Sequence, residues 1–215
     1  MPHNMIIFHN VLKSFSSGFN KHQALHQISC QIDITKRTLL LGENGSGKTT
    51  FLKLLCGYLR PSSGQVINPL LLREMAYLPE KFLLEAEMTG KDFLMSLKPK
   101  ELVIDEAYLD FFKIKSFWEK KIKTYSKGMT QKMGILALCM HNPRFLVMDE
   151  PMDGLDQEAY LEFIELLNVI TQKNGGYILT SHNISDLKKN FDNVILLKKG
   201  HLLFAGSAED YLGYS

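Results

Sequence analysis

Gly42-Glu43-Asn44-Gly45-Ser46-Gly47-Lys48-Thr49 is the segment that most narrows what this chain can fold into. It fits the GxxxxGK[ST] pattern, with the apolar run Leu39-Leu40-Leu41 before it and the helix-like Phe51-Leu52-Lys53-Leu54-Leu55 after it. A glycine-rich turn carrying a surface lysine is the bland alternative, and these flanks argue against it. Glycines at 42, 45 and 47 let the backbone turn inward, so that its N–H groups and the positive end of the following helix surround phosphate oxygens. The expected binding set is Gly42, Glu43, Asn44, Gly45, Ser46, Gly47, Lys48, Thr49 and Thr50. Lys48 is expected to reach the β and γ phosphates of a nucleoside triphosphate, and Thr49 to ligate Mg²⁺.

Far downstream, Phe145-Leu146-Val147-Met148 runs into Asp149-Glu150. A short continuous apolar run suits a parallel strand buried on both faces. Such a strand delivers its last residues to the carboxyl edge of the sheet, where nucleotides sit. Asp149 is then placed to hold Mg²⁺, and Glu150 to polarise the water that attacks the γ phosphate. Alone, an apolar run ending in two carboxylates fits a solvated turn equally well. Paired with the phosphate loop it points to triphosphate hydrolysis.

Other segments stand in an order that identifies a class. Tyr77-Leu78-Pro79-Glu80, Tyr125-Ser126-Lys127-Gly128-Met129, Pro151-Met152-Asp153-Gly154-Leu155-Asp156 and Thr180-Ser181-His182 follow the phosphate loop in turn, and Leu197 to Gly206 resembles the hairpin that closes the domains of the family these segments identify. Over nearly its whole length the chain resembles the ATP-binding subunits of ABC transporters. These segments stand where that family carries its Q-loop, signature, D-loop and switch histidine. The resemblance implies an Mg²⁺-dependent ATPase whose sites are shared between two copies. Ser126 and Gly128 would contact the ATP of the facing subunit, and Asp156 would communicate across the interface. His182 would contact the γ phosphate and the attacking water, and Glu80 would sit near Mg²⁺ as a ligand with a part in catalysis. Asp156 can also simply cap the helix that follows it, and both roles can hold at once.

This sequence departs from the family pattern at named positions. Lys127 and Met129 replace the usual glycine and glutamine of the signature, Glu80 replaces the Q-loop glutamine, and Thr35 replaces a glycine upstream of the loop. The SKGM signature with a Pro-Glu Q-loop resembles a subgroup that includes several exporters, so the expected direction of transport is export. The residue expected to stack on adenine is Phe15, with Phe19 and Phe8 offering the same sequence-tolerant contact.

The expected fold is α/β. It is a P-loop NTPase with a mostly parallel core sheet, an antiparallel edge sheet near the N-terminus and an inserted helical lobe. Residues 1–215 read as a single domain, its core at 1–80 and 142–215 and the lobe at about 81–141. Alternating runs between about 5 and 36 suit the antiparallel part. Buried strands alternating with helices from Thr38 suit the parallel part. In the lobe Thr89 caps one predicted helix, and Glu101 to Phe112 offers another.

Composition narrows the partners. A net charge of +2 is too small to argue for nucleic acid or lipid. No apolar stretch approaches the roughly 18 residues that cross a bilayer, and the first residues lack the pattern of a signal peptide. A separate membrane permease is therefore the implied partner, with a second ATP-binding subunit, identical or paralogous. The expected location is the cytoplasmic side of the cell membrane. Three cysteines, Cys30, Cys56 and Cys139, lack CxxC spacing and read as buried thiols of a reducing compartment. Phe82, Phe93, Phe111, Phe112, Phe117 and Trp118 load the lobe with aromatics, either as its core or as a groove for a permease helix. Lys113, Lys115, Lys120, Lys121 and Lys123 read as a solvated face, with acidic headgroups as the other reading. A soluble ABC ATPase acting on nucleic acid or ribosomes, and a regulatory nucleotide-binding module, are the competing functions.

Overall fold

The computed structural model describes residues 4–18, 20–82, 84–97, 106–111, 113–140, 142–182 and 190–214. A six-stranded sheet forms its centre. Strands β3 (Arg37–Leu41), β5 (Met75–Leu78), β6 (Phe145–Met148), β7 (Gly176–Ser181), β8 (Asn193–Lys198) and β9 (His201–Ser207) stand in the order β5-β6-β7-β3-β8-β9. All neighbours pair in parallel except β8 with β9, the hairpin expected at the end of the chain. A second, three-stranded sheet takes the order β2-β1-β4, built from β1 (Met5–Ser17), β2 (Asn20–Asp33) and β4 (Ser63–Ile67). The expected edge sheet is thus a sheet of its own. Its third strand, β4, comes from beyond the phosphate loop, where Ser63-Gly64-Gln65 gives little apolar signal.

Both faces of the central sheet are covered, which explains its unbroken apolar runs. Leu39, Leu41, Leu146, Met148, Tyr177 and Leu179 belong to one buried cluster; the intervening Leu40, Phe145, Val147 and Ile178 belong to another. A period of two distributes alternate side chains to the two faces. The second cluster includes helix α1 (Lys48–Leu55) and the smaller sheet, with Phe8 stacked on Phe51 at 4.2 Å between ring centroids. Burial pushes the Cys30, Cys56 and Cys139 thiols up to about 12, so they stay protonated and unreactive at neutral pH.

Between β5 and β6 the described residues form helices α2 (Gly90–Leu97), α3 (Glu106–Phe111) and α4 (Lys127–Cys139), with short 3₁₀ turns. Thr89 Oγ1 accepts from the Asp92 N–H at 3.1 Å, the expected cap of α2. Phe117 is buried, and Phe82, Phe93 and Trp118 pack against the main core. These aromatics therefore fill the lobe itself. Phe112 lies outside the described residues. Lys113, Lys115, Lys121 and Lys123 each pair with a carboxylate of Glu162, Glu106, Asp110 or Glu87, so that face is a set of exposed ion pairs. Helix α5 (Gln157–Asn174) follows β6, and α6 (Ala208–Tyr214) ends the described chain. Among the described residues, no helix is long and apolar enough to cross a membrane.

An ion pair fastens β3, the strand that leads into the phosphate loop. Arg37 donates from Nε to Asp192 Oδ2 at 3.2 Å and from a terminal nitrogen to Oδ1 at 2.9 Å. The Arg37 backbone N–H adds a bond to Oδ2 at 2.8 Å. The Arg37 hydrogen bonds hold the Asp192 carboxyl below the ordinary carboxylate range despite partial burial. Its stabilisation is therefore complete above the unfolded value of about 3.9 and is lost as pH falls through the lower folded value. Asp192→Asn should cost about 1 kcal/mol at pH 7, allowing for a pair about one-third exposed. Urea melts at several pH values should show that difference shrinking below about pH 4.

Candidate nucleotide-binding site

The phosphate loop joins the end of β3 to α1, and glycine is required at its last turn. Gly47 has φ 103°, and a Cβ there would lie 2.7 Å from the Ala24 carbonyl oxygen and from Leu25 Cδ2. The loop is braced from the other side by the β8–β9 turn, where the Gly200 N–H donates to the Ser46 carbonyl at 2.9 Å. Lys48 begins α1 and is 6% exposed, its Nζ donating to the carbonyls of Gly42 at 2.6 Å and Glu43 at 3.2 Å.

The second half of the site stands at the ends of β6 and β7. Asp149 is 2% exposed, and its Oδ1 accepts from the Thr180 hydroxyl at 2.8 Å. Glu150 adopts φ 47°, a left-handed conformation uncommon for a residue with a Cβ. Its N–H donates to Thr180 Oγ1 at 2.6 Å. Glu150 Oε1 lies 3.1 Å from Lys48 Nζ, an ion pair by distance whose angles do not align as a hydrogen bond. Glu150 Oε2 lies 3.2 Å from His182 Nδ1. Thus three residues distant in sequence, Lys48, Glu150 and His182, meet at one carboxylate.

A cleft of about 370 Å³ gathers these groups, within the usual range for a small-molecule site. Asn44, Gly45, Gly47, Lys48, Thr49, Thr50, Glu80, Asp149, Glu150 and His182 line it. Of the remaining loop residues, Gly42 and Glu43 line a second cavity behind the loop, and Ser46 is buried within it. Asp149 Oδ2 is buried with no hydrogen bond among the described residues. A buried carboxylate oxygen without a hydrogen bond among the described residues, in a cleft also lined by the hydroxyl-bearing Thr49 and by Glu80, fits a hard divalent cation such as Mg²⁺. The nearby Tyr77 phenol is pushed up by burial and then by the Asp149 charge, so it stays neutral.

Besides Gly42, Glu43 and Ser46, four of the expected residues, Phe15, Ser126, Gly128 and Asp156, do not line the cleft. Phe15 is 40% exposed and carries Lys13 Nζ at 5.0 Å from its ring centroid, but does not line the cleft. From the smaller sheet the lining residues are His22, the strand partner of Phe15, and Ala24. Direct partners in an antiparallel pair share a face of the sheet, so alternation does not separate Phe15 from His22; the register shifts between Lys13 and Ser14, whose partners are Leu25 and Gln23, and that irregularity is not legible in the sequence. Phe8 is in the core, and Phe19 lies outside the described residues.

Ser126 caps α4, its Oγ accepting from the Met129 N–H at 3.2 Å. Asp156 caps α5, accepting from Ala159 N–H at 2.8 Å. A Cβ on Gly128 would lie 3.5 Å from Ala159 Cβ, so the start of α4 rests against the start of α5. Lys127 Nζ joins the two segments through Asp153 Oδ2 at 3.0 Å. Thr35 donates from both its N–H and its hydroxyl to Asp33 Oδ1, which makes the turn without the glycine.

The family model described as ABC transporter matches residues 25–153. A zinc import ATP-binding protein, ZnuC, of Rickettsia bellii is 33% identical over 96% of this chain and 88% of its own length. An uncharacterized ABC transporter ATP-binding protein of Bacillus subtilis, YxlF, is 28% identical over 93% of this chain and 71% of its own. Among solved structures, the dimeric post-hydrolysis state of the ATP-binding cassette MJ0796, bound to ADP and Pi, superposes with a TM-score of 0.81. It covers 94% of this chain and 98% of that one at 20% identity, which speaks for the fold alone. With a model matching more than half of its residues and a relative one-third identical along nearly all of it, the chain belongs to the ABC transporter family, as an ATP-binding subunit that hydrolyses ATP.

Proposed function

We propose that two copies of this subunit, or this subunit and a paralogue, close on ATP and so drive a separate membrane permease. The observation that carries the reading is the separation of two surfaces in one chain. Lys48, Asp149, Glu150 and His182 converge on one cleft, whereas Ser126 and Gly128 stand at the start of α4 outside its lining. A site that uses both sets needs the second set from another chain. Ser126 and the N–H groups that open the thirteen-residue α4 suit the γ phosphate of a facing nucleotide.

In this mechanism the loop N–H groups and Lys48 bind the β and γ phosphates. Asp149, Thr49 and Glu80 would hold Mg²⁺, which when bound neutralises phosphate charge. Glu150 accepts the proton of the attacking water, and His182 orients that carboxylate. Loss of the γ phosphate weakens the ATP-bridged interface, and opening resets the permease. The proposed place of work is the cytoplasmic face of the membrane. The export reading drawn from Glu80, Lys127 and Met129 lacks support, because several relatives similar along most of the chain are named zinc import proteins. Uptake is the direction we propose, with cargo set by the permease.

A tagged Glu150→Gln chain, with MgATP, should form dimers and carry a multi-span membrane protein through a gentle detergent pull-down. ATP-dependent dimers with only soluble proteins attached would move the function to a soluble ABC ATPase. A chain that stays monomeric with MgATP would overturn the shared site.

A further inference from the structure

We propose that Thr180 is a positioning residue for hydrolysis, acting through both carboxylates at once. This deepens the reading of Asp149 and Glu150 given above and rests on it. Thr180 is fully buried in β7, paired on one side with Leu40 of β3. On the other side the β6–β7 register ends at Met148 opposite Leu179, so Thr180 stands one residue further on, level with Asp149.

A hydroxyl has one proton to give and two lone pairs to receive with. Here the proton goes to Asp149 Oδ1 at 2.8 Å, and the oxygen accepts the Glu150 N–H at 2.6 Å. The first bond engages one carboxylate oxygen and leaves Oδ2, buried and without a hydrogen bond among the described residues, for a cation. The second satisfies a backbone N–H inside a left-handed turn that would otherwise relax, because Glu150 is held at φ 47° against its own preference. That turn is what presents the Glu150 side chain to both Lys48 and His182. One side chain thus sets the angle of the cation ligand and the angle of the base. The β-branch of threonine limits the hydroxyl to few rotamers, which suits this use.

Thr180→Val keeps the shape and removes the hydroxyl, whereas Thr180→Ser keeps the hydroxyl and removes a methyl group. Fluorescent ATP binding is measured in EDTA and again in Mg²⁺, and kcat is measured in parallel. For Thr180→Val, affinity in EDTA should stay within about threefold of the parent, while tightening by Mg²⁺ and kcat should each fall by about tenfold or more. Thr180→Ser should restore both. Thr180→Ala, which also lacks the hydroxyl, replaces the valine variant if that one fails to fold. A valine variant with Mg²⁺ tightening and kcat within about twofold of the parent overturns the proposal. So does a serine variant as defective as valine with an equal loss of melting temperature, since methyl packing would then explain the effect. Turnover retained by Glu150→Gln removes the underlying reading itself; loss there with a normal Thr180→Val removes this inference alone.

Discussion

Glu150→Gln should hydrolyse ATP at least about a hundredfold more slowly than the parent while binding it at least as tightly, the reach expected of a general base. The two effects have separate causes. An amide cannot take the proton of the attacking water, so the chemical step suffers. The lost carboxylate charge stood 3.1 Å from Lys48 Nζ, competing with phosphate for that cation and repelling the γ phosphate. Its removal frees Lys48 for the nucleotide. The measurement is single-turnover hydrolysis beside equilibrium binding of a fluorescent ATP. Turnover near that of the parent would remove Glu150 from the role of base, and weakened binding would contradict the competition with phosphate.

Lys48→Ala should lose nucleotide affinity itself, by about 2–3 kcal/mol or roughly thirty- to a hundred-and-fiftyfold, the range for losing charge-assisted hydrogen bonds. The lysine is almost wholly buried at 6% exposure, so water gives it little screening and its charge acts strongly on groups in the cleft. Its loss also leaves the largely buried Glu150 carboxylate without its cation, which adds repulsion against phosphate. Titration calorimetry with MgATP separates this variant from Glu150→Gln: one should fail to bind, the other should bind without turnover. Unchanged binding in Lys48→Ala would contradict the assignment of the phosphate loop.

Legibility varied with the range of the physical cause. The loop from Gly42 to Thr49 could be read directly, because turn, phosphate cradle and helix start are all local. Phe145 to Met148 could be read as a buried strand, since a sheet covered on both faces demands apolar residues at every position. The closing hairpin at β8 and β9 was expected from the resemblance of Leu197 to Gly206 to the family's hairpin. His22 and Ala24 at the cleft could not be read, because an irregular β1–β2 register decides which side chains turn inward. The aromatics of the lobe could be counted but not placed, since core and groove require the same side chains.

Thr180 marks the boundary most sharply. Its segment, ending in His182, was recognisable, but a threonine at a strand end carries no signal of its bonding partners. Those partners arrive from β6, a strand separated from it by the whole of α5. The phosphate loop, the carboxylate pair and the strands that bear them were legible because local backbone chemistry and side-chain period encode each of these, while the order of the motifs carried the resemblance to the family. Tertiary packing alone brings Lys48, Glu150 and His182 together, leaves one buried Asp149 oxygen without a hydrogen bond among the described residues, and sets the start of α4 outside the cleft lining. The physical reason is that such meetings depend on strand order, and strand order is set by how the two cores pack rather than by any one segment.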